Sequence, residues 1–118
     1  MKLHLHQTSQ QIADFSAIFS YLEDTLKAQS CGLHIFPELF LTGYPLKDLC
    51  FQKQFISDYL KLLAKINSLS TKMERREDEC YLLGGPAYSF AEVTGEHPLL
   101  IENVIYRLIP GSELEIIY

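Results

Sequence analysis

Residues 36–49 read Phe-Pro-Glu-Leu-Phe-Leu-Thr-Gly-Tyr-Pro-Leu-Lys-Asp-Leu, and near the start of this stretch one carboxylate, Glu38, stands among Phe36, Pro37, Leu39 and Phe40. If such a group turns inward it loses water, its pKa rises, and it becomes suited to accept a proton and return it. Taken alone, a carboxylate behind a strand is more often a solvated loop residue. A place at the carboxyl end of a βαβ strand is what makes it a candidate. The three thiols, Cys31, Cys50 and Cys80, are weaker candidates. A nucleophilic cysteine needs a polar, electropositive pocket that lowers its pKa, whereas Cys31 and Cys80 open apolar runs and Cys50 lies between Leu49 and Phe51. Their odd number and the lack of C-x-x-C spacing point to neither a disulfide frame nor a zinc site. We read them as reduced, small, buried or half-buried hydrophobes.

The elements that must position Glu38 follow from periodicity. Lys2 to Gln7 alternates Leu3 and Leu5 against His4 and His6, the pattern of a strand. Thr8 and Ser9 offer cap oxygens before a helical stripe of Ile12, Phe15, Phe19, Leu22 and Leu26 that ends near Gln29. Cys31 to Phe36 is a short buried strand, its last residue held extended by Pro37. This βαβ unit sets Pro37 and Glu38 beyond the strand's carboxyl end, where ligands of open α/β sheets gather. Thr42-Gly43-Tyr44-Pro45 is a turn-rich loop in which Gly43 can take positive φ.

A second helix carries Phe55, Tyr59, Leu62, Leu63, Ile66, Leu69 and Met73 on one stripe, and is expected on the same sheet face as the first. Lys72 to Glu79 reads as a solvated helix end and loop. Tyr81-Leu82-Leu83 is a third strand closed by Gly84-Gly85-Pro86. Ser89 to Glu102 reads as a loop, and Asn103 to Ile109 and Leu114 to Tyr118 as two strands around a Pro110-Gly111-Ser112-Glu113 hairpin. The order is βαβαβββ. The last run stops inside a strand pattern, which reads as a cut; a strand ending at an oligomer interface is the alternative.

A length of 118 residues, 47% of them hydrophobic, fits one domain spanning 1–118. A net charge of -5 with ten scattered basic residues argues against a nucleic-acid surface. No apolar run approaches the ~20 residues of a membrane span, and the amino terminus lacks a signal-peptide layout. A cytoplasmic location is expected.

The string F-P-E-L-x-x-T-G-Y-P, with Asp48-Leu49 behind it, resembles the carbon–nitrogen hydrolase (nitrilase) superfamily around its catalytic glutamate. It is most similar to the amino-terminal glutaminase domain of glutamine-dependent NAD synthetases. Met1-Lys2, Gln7, Gly84-Gly85-Pro86 and Asn103 extend the likeness along the chain. The resemblance implies a four-layer α-β-β-α sandwich, here incomplete, and a Glu-Lys-Cys triad that hydrolyses a carbon–nitrogen bond through a thioester. It assigns Glu38 the general base and acid role, and gives Tyr44 a place in shaping the glutamine pocket beside an equal reading as loop packing. It implies glutamine as substrate, no cofactor for the amidase half, and ATP only for a separate synthetase domain. The family's lysine and cysteine have no counterpart in these residues, so the chain by itself is expected to be inactive.

His4 and His6 stand where the family usually has small residues, and their H-x-H spacing is also that of metal-dependent amidohydrolases. His34 and His97 add no diagnostic spacing, so packed or surface histidines, and no metal, are expected. Two other readings remain open: another nitrilase-type amidase, and a non-catalytic truncated interaction module. A half-sandwich leaves an apolar face uncovered, which leads us to expect homo-oligomers through that sheet face or a helix face.

Overall fold

Two amphipathic helices lie against one side of a five-stranded mixed sheet in the computed structural model, which describes residues 2–44, 46–90 and 98–118. The order is β1 (Leu3–Leu5), α1 (Phe15–Lys27), β2 (Gly32–Ile35), a 3-10 turn (Lys47–Phe51), α2 (Lys53–Thr71), β3 (Glu79–Phe90), β4 (Pro98–Leu108) and β5 (Glu115–Ile116). The expected βαβαβββ order holds. Strands follow one another across the sheet, with β1, β2 and β3 parallel and β4 and β5 antiparallel. Two crossovers that step the same way along a sheet put both helices on one face. Ile18, Leu22 and Leu26 of α1 and Tyr59, Leu62 and Ile66 of α2 accordingly close over Tyr81 and Leu83 of β3 and Val104, Tyr106 and Leu108 of β4.

The first helix starts later than its stripe predicts. Asp14, not Thr8 or Ser9, caps it, accepting from the Ala17 N–H at 3.1 Å. Ala13 sits at φ 61°, outside helical space, and its N–H donates to the Thr42 carbonyl at 2.8 Å. That tertiary bond pulls Ile12 out of the helix and ties the chain to the Glu38 loop.

In β1 the alternation holds but its sense is the reverse of hydrophobic-in. Leu3 and Leu5 are 59% and 71% exposed, while His4 and His6 turn toward α1. With Leu33, Ile35, Leu82 and Ile105, which share their side by register, the two leucines form an apolar face that neither helix covers.

The third strand is not closed by Gly84-Gly85-Pro86 but runs through it to Phe90. Packing explains each residue. Gly84 admits the Glu38 loop, as described below. A Cβ on Gly85 would lie 2.6 Å from the Tyr59 hydroxyl. The Pro86 carbonyl accepts from Tyr59 at 2.6 Å and from Tyr106 at 3.0 Å. β2 has ended at the level of Leu82, so a proline beyond it has only β4 as a strand neighbour. The predicted loop 89–102 is in part the hairpin arms of β3 and β4; its centre, 91–97 with His97, and Pro45 lie outside the described residues.

The charged run 72–79 is not wholly solvated. Arg76 and Glu79 form an ion pair with Glu79 only 2% exposed, Arg76 Nη2 donates to the Leu26 carbonyl at the end of α1 at 3.0 Å, and Tyr81 donates to Glu79 at 2.6 Å. The guanidinium thus joins the Gln29 N–H, at 3.3 Å, on a carbonyl of the last turn of α1.

Tyr59 is fully buried, and burial, the largest cause, with Tyr106 and Tyr88 pushes its hydroxyl pKa up, so it stays a neutral donor. Tyr59→Phe leaves the Pro86 carbonyl with its Tyr106 bond. The urea-unfolding midpoint should therefore fall by the equivalent of only about 1 kcal/mol; no change in midpoint would show that this hydroxyl contributes nothing.

Candidate active site

The segment after β2 keeps to the sheet before it turns away. The Phe36 N–H donates to the Leu82 carbonyl at 3.1 Å and the Leu41 N–H to the Gly84 carbonyl at 3.0 Å, so residues 36–41 bracket β3. Phe36, Leu39, Phe40 and Leu41 are all buried. The apolar flanks of Glu38 therefore enter the core and leave the carboxylate itself exposed on the rim. The desolvated, inward-turned Glu38 that those flanks allowed is not what forms.

A tight turn holds the carboxylate there. Leu39 takes a left-handed φ of 57°, costly for a residue with a branched side chain. The Leu39 carbonyl accepts from the Gly43 N–H at 2.7 Å and the Thr42 N–H at 3.1 Å, and the Phe40 N–H donates to Pro37 at 3.0 Å. Thr42, fully buried, turns its hydroxyl to the Leu39 and Gly43 carbonyls at 3.3 and 3.1 Å. Gly43 has φ 86°, as its place in the loop predicts, and a Cβ on it would lie 2.8 Å from Ile12 Cα.

Glu38 lies at the carboxyl end of β2 and lines a cleft of about 370 Å³ with Ile35, Phe36, Leu82, Gly84, Asn103, Val104, Ile105 and Tyr118. The cleft opens on the uncovered face of the sheet. Asn103 Nδ2 donates to Glu38 Oε1 at 3.3 Å from across β3, a bond between residues 65 apart in sequence. One apolar floor with one oriented carboxylate at its edge can hold a small molecule and exchange a proton with it.

Tyr44 is 75% exposed and lines a smaller, polar crevice of about 160 Å³ on the other flank of Glu38, with Thr8, Gln10, Pro37, Leu39, Phe40 and Gly43. It shares that crevice with Glu38 and does not line the larger cleft. Cys31, exposed where the sequence reading expects a buried or half-buried thiol, and Cys80, half-buried, lie at the opposite end of the strands with Lys2, Gly32 and Leu33, and burial raises the Cys80 thiol pKa more than Arg107 lowers it. Cys50 meets the Tyr88 hydroxyl through its carbonyl at 2.9 Å. Among the described residues neither a thiol nor a lysine lines the Glu38 cleft, and no group of three His, Cys, Asp or Glu side chains is gathered to hold a metal ion.

Two contributors escaped the sequence reading. Asn103, read from the sequence as the start of a strand and found inside β4, gives no local signal of its partner. Gly84 had a signal, a glycine inside an apolar strand run, which marks a close backbone approach. A Cβ there would lie 2.9 Å from Leu39 N, 3.0 Å from the Pro37 carbonyl oxygen and 3.1 Å from Glu38 Cα. No protein-family model matches this chain, and no curated protein is significantly similar to it in sequence.

Because the three atoms nearest a Cβ on Gly84 are all backbone, a methyl group cannot be accommodated by a rotamer change. Gly84→Ala should cost about 1–3 kcal/mol in urea unfolding and shift the amide resonances of residues 37–39. A variant with wild-type stability and unmoved resonances would refute this contact.

Proposed function

We propose that this chain is the glutamate-bearing part of a nitrilase-type carbon–nitrogen hydrolase domain, acting on the side-chain amide of glutamine and supplying ammonia for NAD synthesis within a longer polypeptide. The observation that carries this reading is Glu38 at the carboxyl end of β2, on the rim of the cleft and held by Asn103. Its exposure suits it to meet a reactant brought to the open face of the sheet.

In the reaction, Glu38 takes the proton of a cysteine thiol as the sulfur attacks the amide carbon. The carbon–nitrogen bond then breaks, the nitrogen leaves as ammonia with the proton returned by Glu38, and a thioester remains. Water activated by the same carboxylate releases glutamate and restores the thiol. A lysine and backbone N–H groups stabilise the oxyanion. The thiol and the lysine come from residues other than those of the cleft described here. Tyr44, in the adjoining crevice, is the residue of this chain best placed to touch the polar end of the substrate. The amidase step needs no cofactor, and ATP belongs to a separate synthetase domain in a cytoplasmic enzyme.

The full reading frame of the gene, expressed as one polypeptide, should release ammonia from glutamine, and Glu38→Gln should lower kcat by about 10²–10⁴-fold. The 118 residues alone should release none. Full-frame protein inert toward glutamine and other amides would defeat the hydrolase reading, and activity toward another amide only would shift it to a different nitrilase-type amidase.

The uncovered face favours a second reading, a non-catalytic interaction module. Leu3, Leu5, Ile117 and Tyr118 are exposed on or beside it, an apolar surface of the kind that marks association. Under the hydrolase reading this face is the inner layer of the four-layer sandwich. Under either reading, the isolated chain should form a homo-oligomer through it. Light scattering should give a mass above the monomer at high concentration, and a Leu5→Lys change should lower that mass. A wild-type monomer throughout would exclude self-association.

A further inference from the structure

The proposed hydrolysis leaves one cluster of titratable groups unused. His4, His6 and His34 stack behind the Glu38 loop. The His4 and His34 rings lie 4.2 Å apart and 6° from parallel, His34 lies 4.3 Å from Tyr81, and His6 stacks on Phe36 at 4.2 Å and 3°. His34 is almost fully buried, and the other two rings are half-buried.

Their hydrogen bonds dictate where each proton sits. His34 Nε2 is 2.7 Å from the Ser30 carbonyl oxygen, which can only accept, so Nε2 carries the hydrogen. In the neutral ring His34 Nδ1 is then an acceptor, and His6 Nε2, 2.9 Å away, must donate to it. His6 Nδ1 is left to accept from the Tyr21 hydroxyl at 3.0 Å. His4 Nε2 donates to the Cys31 carbonyl at 3.0 Å. The result is a one-way chain, Tyr21 to His6 to His34 to Ser30, that joins α1, β1 and β2 and cannot persist once both linking rings are doubly protonated.

A second proton on His34 goes to Nδ1, and the pair keeps its bond by moving the His6 hydrogen to Nδ1, with the Tyr21 hydroxyl then accepting; a second proton on each ring sets two N–H groups face to face across 2.9 Å and abolishes the bond. A second proton on His6 must go to Nδ1, where it forces the Tyr21 hydroxyl to turn and sets a charge beside His34 and His4. The other groups facing the stack give little compensation. Tyr81 of β3 spends its hydroxyl on Glu79, and Glu79 is paired with Arg76.

We propose that this relay is an acid-released latch, which locks β1 under α1 when neutral and frees β1, together with the Phe36 anchor of the Glu38 loop, when both linking rings are protonated. The inference stands on this hydrogen-bond geometry and not on the hydrolase reading. Burial first, then His34 and His4, lowers the His6 pKa below its ordinary value of 6.5. The unfolded chain therefore binds more protons than the folded one between the folded pKa and 6.5, so stability is lost as pH falls through that window.

The test uses the whole 118-residue chain. Long-range ¹H–¹⁵N spectra near neutral pH should show His6 and His34 both with hydrogen on Nε2 only. Urea unfolding from about pH 7.5 to about pH 5 should show the folding constant falling by up to about tenfold per pH unit through His6. His6→Gln, whose amide N–H still donates to His34, should flatten that fall. A ring with hydrogen on Nδ1, a doubly protonated ring at neutral pH, or equal slopes in wild type and His6→Gln would overturn the latch. If the variant does not fold, the wild-type tautomers decide.

Discussion

The contact on which the candidate site depends is the approach of the 37–39 backbone to Gly84. Three backbone atoms come within 3.1 Å of where a Cβ would stand, the nearest, Leu39 N at 2.9 Å, closer than a Cβ tolerates. That approach lets Phe36 and Leu41 bond to β3 on either side of the turn. It also lets Phe36 and Phe40 enter the core, and it leaves Glu38 within reach of Asn103 across the strand. The left-handed Leu39 is held by bonds to its own carbonyl and by the buried Thr42. These contacts fix the backbone of Glu38, and its exposed carboxylate meets Asn103 Nδ2 at 3.3 Å.

One-sided coverage of the sheet is the second constraint. The two crossovers place both helices on one face, so the face beside Glu38 is apolar and open, with Ile35, Leu82 and Ile105 as the cleft floor. The other face is crowded enough to draw polar rings inward. His4 and His6 point to the helix side because His34, Tyr81, Phe36 and Tyr21 supply stacking and hydrogen-bond partners there. A leucine on that side would leave Tyr21 and His34 without them. The leucines face outward as a consequence, reversing the usual sense of an alternating strand.

Much of the fold was legible from periodicity. The apolar stripes located α1 and α2, the short apolar runs located β2 and β3, and the turn residues located the β4–β5 hairpin. Each departure from that reading has a tertiary cause. The start of α1 was set too early because Ala13 is claimed by a bond to Thr42. Gly84-Gly85-Pro86 looked like a strand end because the loop and the tyrosine that fill the space beside these residues are distant in sequence. Arg76 and Glu79 looked solvated because their burial comes from the end of α1 and from Tyr81.

By itself the sequence determined the element order, the proton-handling residue type at Glu38 and the positive-φ glycine of its turn, since these rest on spacing and on the conformational limits of single residues. Tertiary structure alone decided that Glu38 faces outward, that Asn103 holds it, and that the histidines of β1 face the core. Each of those depends on which partners the sheet brings together over 28 to 65 residues of chain, and a local pattern carries no information about a contact made at that separation.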